Sequence, residues 1–251
     1  MVFDWWSYSL YSHGFLIPLI SGYLVWRRRK DLQECPRRSS LVGLGVFLLG
    51  LGLFVLGWSG EEEFIQRLSL LATLLGLVYF LTGKQTAKLC LFPIGYLLLM
   101  IPIPFTVYKA AALDLRLLDA TLATSWLSFI GIPVFREGYL LHLPRITLEV
   151  ADGCSGFLSI VTMLALGILY LYQLQTGWKS VLWMSLIPIA VLSNVVRIVS
   201  IAVLTYFFGE WVLGSTFHRL SGTFNFLLGF MSLVILRNGL DRVSLRKEAK
   251  R

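Results

Sequence analysis

The run LVGLGVFLLGLGLFVLGW at residues 41–58 decides the fold, because it places eighteen residues in succession without a charge. An α-helix rises 1.5 Å per residue, so about twenty such residues cross the ~30 Å hydrocarbon core of a bilayer. Comparable runs recur on both sides of this one. Candidate spans run from Trp5 to Trp26, Leu41 to Trp58, Phe64 to Leu81, Ala87 to Pro104, Cys154 to Gln173, Lys179 to Phe208 and Leu220 to Leu236. Of the 251 residues, 57% are hydrophobic and 14% charged, far from the balance of a soluble globular chain. The expected fold is an all-α polytopic membrane protein of about seven transmembrane helices, forming one integral membrane domain over residues 1–251.

The formal charge of +8 would suit nucleic acid, but its distribution argues for membrane orientation instead. Fifteen basic residues fall on one side of the expected spans. They are Arg27, Arg28, Arg29, Lys30, Arg37, Arg38, Lys84, Lys88 and Lys179, with Arg237, Arg242, Arg246, Lys247, Lys250 and Arg251 in a basic tail over 237–251. Six fall on the other side: Arg67, Lys109, Arg116, Arg136, Arg145 and Arg219. The positive-inside rule then sets the N-terminus outside and the tail in the cytoplasm, a parity that seven spans satisfy. Residues 1–11 contain no Lys or Arg, so the basic n-region of a signal peptide is missing there. Cys35, Cys90 and Cys154 lack metal-ligand spacing, and an odd number does not make a disulfide framework. No metal or organic cofactor is expected.

The stretch between Phe105 and Asp152 reads differently. Residues 108–130 are apolar but carry Lys109, Asp114, Arg116 and Asp119, and Asp114 and Arg116 are two apart, too close in sequence to face each other on a helix. An eighth span here would force the basic tail outside, so this segment is expected to be an interfacial amphipathic helix on the outer face. Ile132 to Val150 contains Pro133, Gly138 and Pro144 among alternating residues, which predicts a short hairpin or extended loop.

Chemistry concentrates after that loop. Cys154 stands in Val-Ala-Asp-Gly-Cys-Ser-Gly at the mouth of a span. Asp152 would cap the following helix and leave the thiol in its first turn, where the positive dipole end favours thiolate. Gly153 and Gly156 would let a substrate backbone approach, and Ser155 and Ser159 add hydroxyls that would serve the site or bond the backbone. A buried structural cysteine is the plainer reading, and it suffices for Cys35 and Cys90.

Arg197 lies within an apolar span, where a charge is costly and is by default a functional hypothesis. It would lower the thiol pKa and bind an oxyanion, with Asn194, three residues earlier on the same face, as a second donor. The alternative is a structural arginine, paired with a carboxylate or snorkelling to the interface. His218, one turn before Gly222, is the best general base of the set, with His13 and His142 as competitors. Glu149 would orient His218, pair with Arg197 or remain a solvated carboxylate. The expected topology puts Cys154, Arg197 and His218 in the outer half of the membrane, so a shared site is feasible.

Seven motifs now stand in order: Ser-His-Gly-Phe-Leu-Ile-Pro at 12–18 followed by Trp-Arg-Arg-Arg at 26–29, Met-Ile-Pro-Ile-Pro at 100–104, Gly-Ile-Pro-Val-Phe-Arg-Glu-Gly at 131–138, Leu-Glu-Val-Ala-Asp-Gly-Cys-Ser-Gly at 148–156, Ser-Asn-Val-Val-Arg-Ile at 193–198 and His-Arg-Leu-Ser-Gly at 218–222. In this order, over nearly the full length, the chain resembles the exosortase/archaeosortase family of membrane cysteine transpeptidases. The resemblance maps the family's Cys, Arg and third basic residue onto Cys154, Arg197 and His218, and a His at the third position resembles the bacterial exosortases.

The resemblance implies sorting at the outer face of a bacterial plasma membrane. The partners would be exported proteins ending in a Pro-Glu-Pro-like motif, a hydrophobic span and a basic tail. Cys154 would cut beside the motif through a thioester, and an amine, on a lipid or another acceptor, would resolve it; water as acceptor would make the enzyme a protease. The reading from a different class is a multi-pass transporter or substrate-binding subunit with Arg197 as anion anchor, which inverted repeats would favour; no clear repeat is seen.

Overall fold

The computed structural model describes residues 5–6, 14–150, 157–174 and 177–248, with the side chains of all these except 158–159, 215–219 and 244–248. The described chain is helical apart from one small sheet. In order, α1 is Leu16–Arg27, α2 Arg29–Glu34, α3 Leu41–Ser59, α4 Glu63–Thr82 and α5 Lys84–Tyr96. A 3₁₀ turn at Leu97–Met100 leads to α6, Phe105–Phe129. Then come β1 (Phe135–Glu137), β2 (Leu140–His142), β3 (Thr147–Glu149), α7 (Phe157–Gln173), α8 (Lys179–Phe208) and α9 (Ser215–Glu248). The chain divides into two compact units, Met1–Phe105 and Thr106–Arg251.

Among the described residues, four helical segments are each long and apolar enough to cross a membrane: Leu41–Ser59, Glu63–Thr82, Lys179–Phe208 and Leu220–Val243. They match four of the seven expected spans. A fifth is reached if Lys84–Met100 and Phe105–Phe129 count as one broken span. Among the described residues, the other expected spans give shorter or interrupted helices. In the first, α1 has 12 residues. In the fourth, the helix tightens into a 3₁₀ turn at Leu97, ahead of Pro102 and Pro104, which supply no backbone donor. The fifth gives 17 helical residues from Phe157.

In the first unit, α3 and α4 pack through glycine. Gly43, Gly50 and Gly57, seven apart on one face of α3, are buried against α4, and Gly76 of α4 lies against the backbone of Phe47. Between apolar helices in lipid there is little hydrophobic drive to associate, so close backbone approach supplies the attraction. The outer faces carry exposed Leu48, Leu49, Leu51, Phe54 and Val55, as lipid-facing surfaces do. Exposed Trp26 and Trp58 occupy the last turns of α1 and α3, positions suited to a membrane–water interface.

Pro93, inside α5, lacks the N–H that would bond the Leu89 carbonyl one turn earlier. Arg28 Nη1 donates to that carbonyl at 3.1 Å, so the arginine replaces the missing donor. Ser21 Oγ donates to the Pro93 carbonyl at 2.8 Å, fixing α1 on α5 a second time.

In the second unit, α6 ends at Gly131, whose φ of 83° lets the Ile132 N–H reach back to Leu127 O at 2.9 Å. The chain then forms an antiparallel meander β1-β2-β3, the hairpin expected over 132–150. Gly138, with φ 61°, opens the two-residue turn between β1 and β2, where a positive φ matches the strand twist. Pro144 and Arg145 form the second turn, across which Leu143 and Ile146 exchange both backbone bonds. Leu141 and Leu148 of the sheet, Ala120, Ala123 and Leu127 of α6, and Val195, Ile198 and Ala202 of α8 share one core. A second core joins α7 (Met163, Leu171), α8 (Leu182, Leu186, Ala190) and α9 (Leu233).

Helix α6 occupies the segment expected to lie flat on the outer face. It does not turn all its charges away from the protein: Asp119 is 1% exposed, on the face that packs toward α8. At the other end, the expected tail from Arg237 onward continues α9 as helix to Glu248. Arg237 donates to Tyr170 of α7 and pairs with Asp241 one turn on.

Candidate functional site

Arg197 is the residue around which the described site is built. It lies eleven residues from the end of the 30-residue α8 and is only 6% exposed. Its Nε donates to Ser221 Oγ of α9 at 3.1 Å. Among the described residues it forms no ion pair. A buried charge without an ionic partner is expensive, and a guanidinium engaged among the described residues through Nε alone keeps two terminal nitrogens there for an incoming anion or carbonyl. Gly222 follows Ser221, and a Cβ there would stand 3.9 Å from Arg197 Nη2, an ordinary van der Waals contact, which places this turn of α9 against the guanidinium.

One turn before Arg197, Asn194 is fully buried. Its Nδ2 donates to Asp119 Oδ2 of α6 at 2.8 Å, and its Oδ1 accepts from Asn225 Nδ2 of α9 at 3.5 Å. The expectation that Asn194 would help hold an oxyanion meets a different geometry, since its amide is committed to α6 and α9. Asn225 lies one turn after Ser221 on α9, so two polar rungs join α8 to α9: Arg197 to Ser221 and Asn194 to Asn225. Asp119 closes the second rung from a third helix.

Of the other sequence candidates, Cys154 and Ser155, with the flanking Asp152, Gly153 and Gly156, lie outside the described residues, as does His13. The chain enters that segment from Val150, buried in the core beneath the sheet, and leaves it at Phe157, whose ring meets Tyr108 of α6 edge-on at 5.1 Å. His218 occupies the first turn of α9, three positions before Ser221, and its side chain lies outside the described set. Glu149 is exposed on β3 and makes no ion pair with Arg197. His142, the other imidazole considered, contacts Thr147 at 2.9 Å and Glu137 at 3.3 Å within the sheet.

Sequence reasoning missed the roles of Asp119, Ser221 and Asn225. Asp119 drew notice only as a charge unsuited to a span, and Ser221 only as part of a motif. Asn225 is a lone amide in an apolar stretch, seven residues after His218, and that spacing is the one signal that would have found it.

The described chain is a helical membrane domain with a buried arginine, Arg197, that pairs with no carboxylate among the described residues. The family model for the transmembrane exosortases matches residues 5–235, nearly the whole chain, and the protein belongs to that family. Membership points to a membrane transpeptidase role. Searches for similar curated proteins and for similar solved structures return no match.

Proposed function

We propose that the protein is a membrane-embedded cysteine transpeptidase, or endopeptidase, that processes the C-terminal sorting signal of exported proteins. The observation that carries this reading is Arg197, buried, fixed through Nε on Ser221 and unpaired with any carboxylate among the described residues, within an exosortase chain. In the proposed orientation the N-terminus is outside and the basic end of α9 cytoplasmic, with the chemistry at the outer face of a bacterial plasma membrane. A substrate whose cleavage point is followed by a hydrophobic span reaches such a site sideways through the bilayer.

In the first step neutral His218 takes the proton of the Cys154 thiol, and the resulting thiolate attacks the peptide carbonyl beside a Pro-Glu-Pro-like motif. A C–S bond forms, the carbonyl oxygen gains negative charge, and the free nitrogens of Arg197 stabilise it. The C–N bond then breaks, and protonated His218 supplies the proton to the leaving amine. The C-terminal fragment departs and the substrate remains as a thioester on Cys154. In the second step the amine of a lipid or other acceptor attacks the thioester, its proton passes to His218, and the C–S bond breaks. Exported proteins and an amine acceptor are thus the proposed partners.

The test is co-expression with an exported protein that carries such a signal, followed by mass spectrometry of its new C-terminus. Wild type should remove the signal and Cys154→Ala should leave it intact. Processing by Cys154→Ala at the wild-type rate overturns the reading. A free carboxylate at the new terminus would make the enzyme a hydrolase, and small-anion uptake independent of Cys154 would favour the transporter reading.

A further inference from the structure

A carboxyl group that is 1% exposed, on a helix packed inside protein, asks for an explanation beyond stability. An apolar residue of similar size would fill the same space without the cost of removing a carboxyl group from water. Asp119 touches one described polar partner, Asn194, through Oδ2 at 2.8 Å, while Oδ1 is buried without a hydrogen-bond partner among the described residues. The interaction joins residues 75 apart in sequence, so it is tertiary.

What Asp119 does to Asn194 follows from the chemistry of the two groups. A carboxylate only accepts, whereas an amide donates from nitrogen and accepts at oxygen. In the structure the Asn194 amide presents Nδ2 to Asp119 Oδ2, which leaves Oδ1 toward α9 and the Nδ2 of Asn225. Asn225 and Ser221 are four apart on α9, and Asn194 and Arg197 are three apart on α8; both pairs share a helical face. The amide rung therefore joins α8 to α9 one turn from the Arg197–Ser221 contact. Without it, sliding or rotation of α9 would carry Ser221 away from Nε and let the guanidinium tilt.

We propose that Asp119 is a positioning residue for Arg197, acting through Asn194 and Asn225 to hold the guanidinium in its working orientation. The proposal rests on the reading of Arg197 as a partner of the Cys154 chemistry. It adds a third helix, α6, to a site whose motifs lie around residues 154, 197 and 218.

The experiment is the pH dependence of Cys154 alkylation by N-ethylmaleimide, measured on the full-length protein in membranes, with the adduct located by peptide mass spectrometry. Arg197→Gln should move the midpoint upward by about one pH unit, because a nearby cation favours thiolate. Asp119→Ala should move it in the same direction, with alkylation about tenfold slower below the midpoint. Asp119→Asn keeps an acceptor oxygen for Asn194 and should stay within twofold of wild type. Leu127→Ala, in the same helix and the shared core, should lower thermal stability without moving the midpoint. Asn225→Ala attacks the amide rung from α9 and should reproduce the shift if Asp119→Ala fails to accumulate.

A shift with Arg197→Gln but none with either Asp119→Ala or Asn225→Ala overturns the positioning role and leaves the function intact. An equal shift with Leu127→Ala reduces Asp119 to a packing residue. No shift with Arg197→Gln removes the link between arginine and thiol, and both readings fall together.

Discussion

Arg197 of α8 and Ser221 of α9 meet through a single hydrogen bond, Nε to Oγ at 3.1 Å, that leaves the rest of the guanidinium uncommitted among the described residues. This geometry depends on the planar fork of arginine. Lysine offers one mobile ammonium and cannot hold Ser221 and a reacting oxygen in one plane. Arg197→Ala and Arg197→Lys should therefore both slow substrate processing, the alanine variant by about 100- to 1000-fold. Ser221→Ala should cost less, about tenfold, because the arginine remains. Initial rates of signal removal in membranes carrying equal amounts of enzyme would check the order, and a fully active Arg197→Lys would contradict it.

His218 should be visible as a pH limb. An imidazole that must be neutral to take a proton loses function as the pH falls through the acid side of neutrality. Wild-type processing should rise through that region as the pH increases, whereas His218→Ala should be slow and nearly flat there. A limb that persists in His218→Ala would assign the base to another group, with His13 next in line.

The pairing of Arg28 with the Leu89 carbonyl makes a prediction about stability alone. Arg28→Ala leaves the carbonyl that Pro93 cannot satisfy without its donor, at a cost of about 1–3 kcal/mol. Pro93→Ala restores the N–H, so in that background the loss of Arg28 should cost much less. Thermal unfolding of the four proteins of this double-mutant cycle in detergent measures the coupling, and additive effects would show that the arginine is not replacing the proline's missing donor.

A parallel case holds for α3 and α4. A side chain at Gly76 would overlap the backbone of Phe47, while one at Gly45 meets nothing within 4 Å. Gly76→Leu should destabilise the hairpin by about 1–3 kcal/mol, and Gly45→Leu should be nearly neutral. Equal melting temperatures for the two variants would contradict the packing described.

Much of the architecture was legible in hydropathy. The run from Lys179 to Phe208 is one helix with those bounds, the run at 41–58 falls one residue short of its helix at one end, and that at 64–81 one residue short at each end. At the other end of the chain Arg237 ends the apolar run while the helix continues to Glu248, with Arg237 donating to Tyr170 and pairing with Asp241. Helix breaks were harder to see, since a hydropathy window averages over Pro93 and the 3₁₀ turn that follows. Arg197 was legible as a charge in an apolar run. Its setting was not, because Asp119, Asn194, Ser221 and Asn225 come from three helices, and side-chain pairs 24 to 75 residues apart leave no periodic trace.

The central claim, that Cys154 carries the substrate as a thioester beside Arg197, is met most directly by trapping the acyl-enzyme. Full-length protein co-expressed with a signal-bearing substrate would be quenched in acid, digested and analysed by mass spectrometry. A substrate fragment joined to Cys154, removed by hydroxylamine and missing from Cys154→Ala, is the predicted result. Continued signal removal by Cys154→Ala, with no such adduct on the wild-type enzyme, would contradict it.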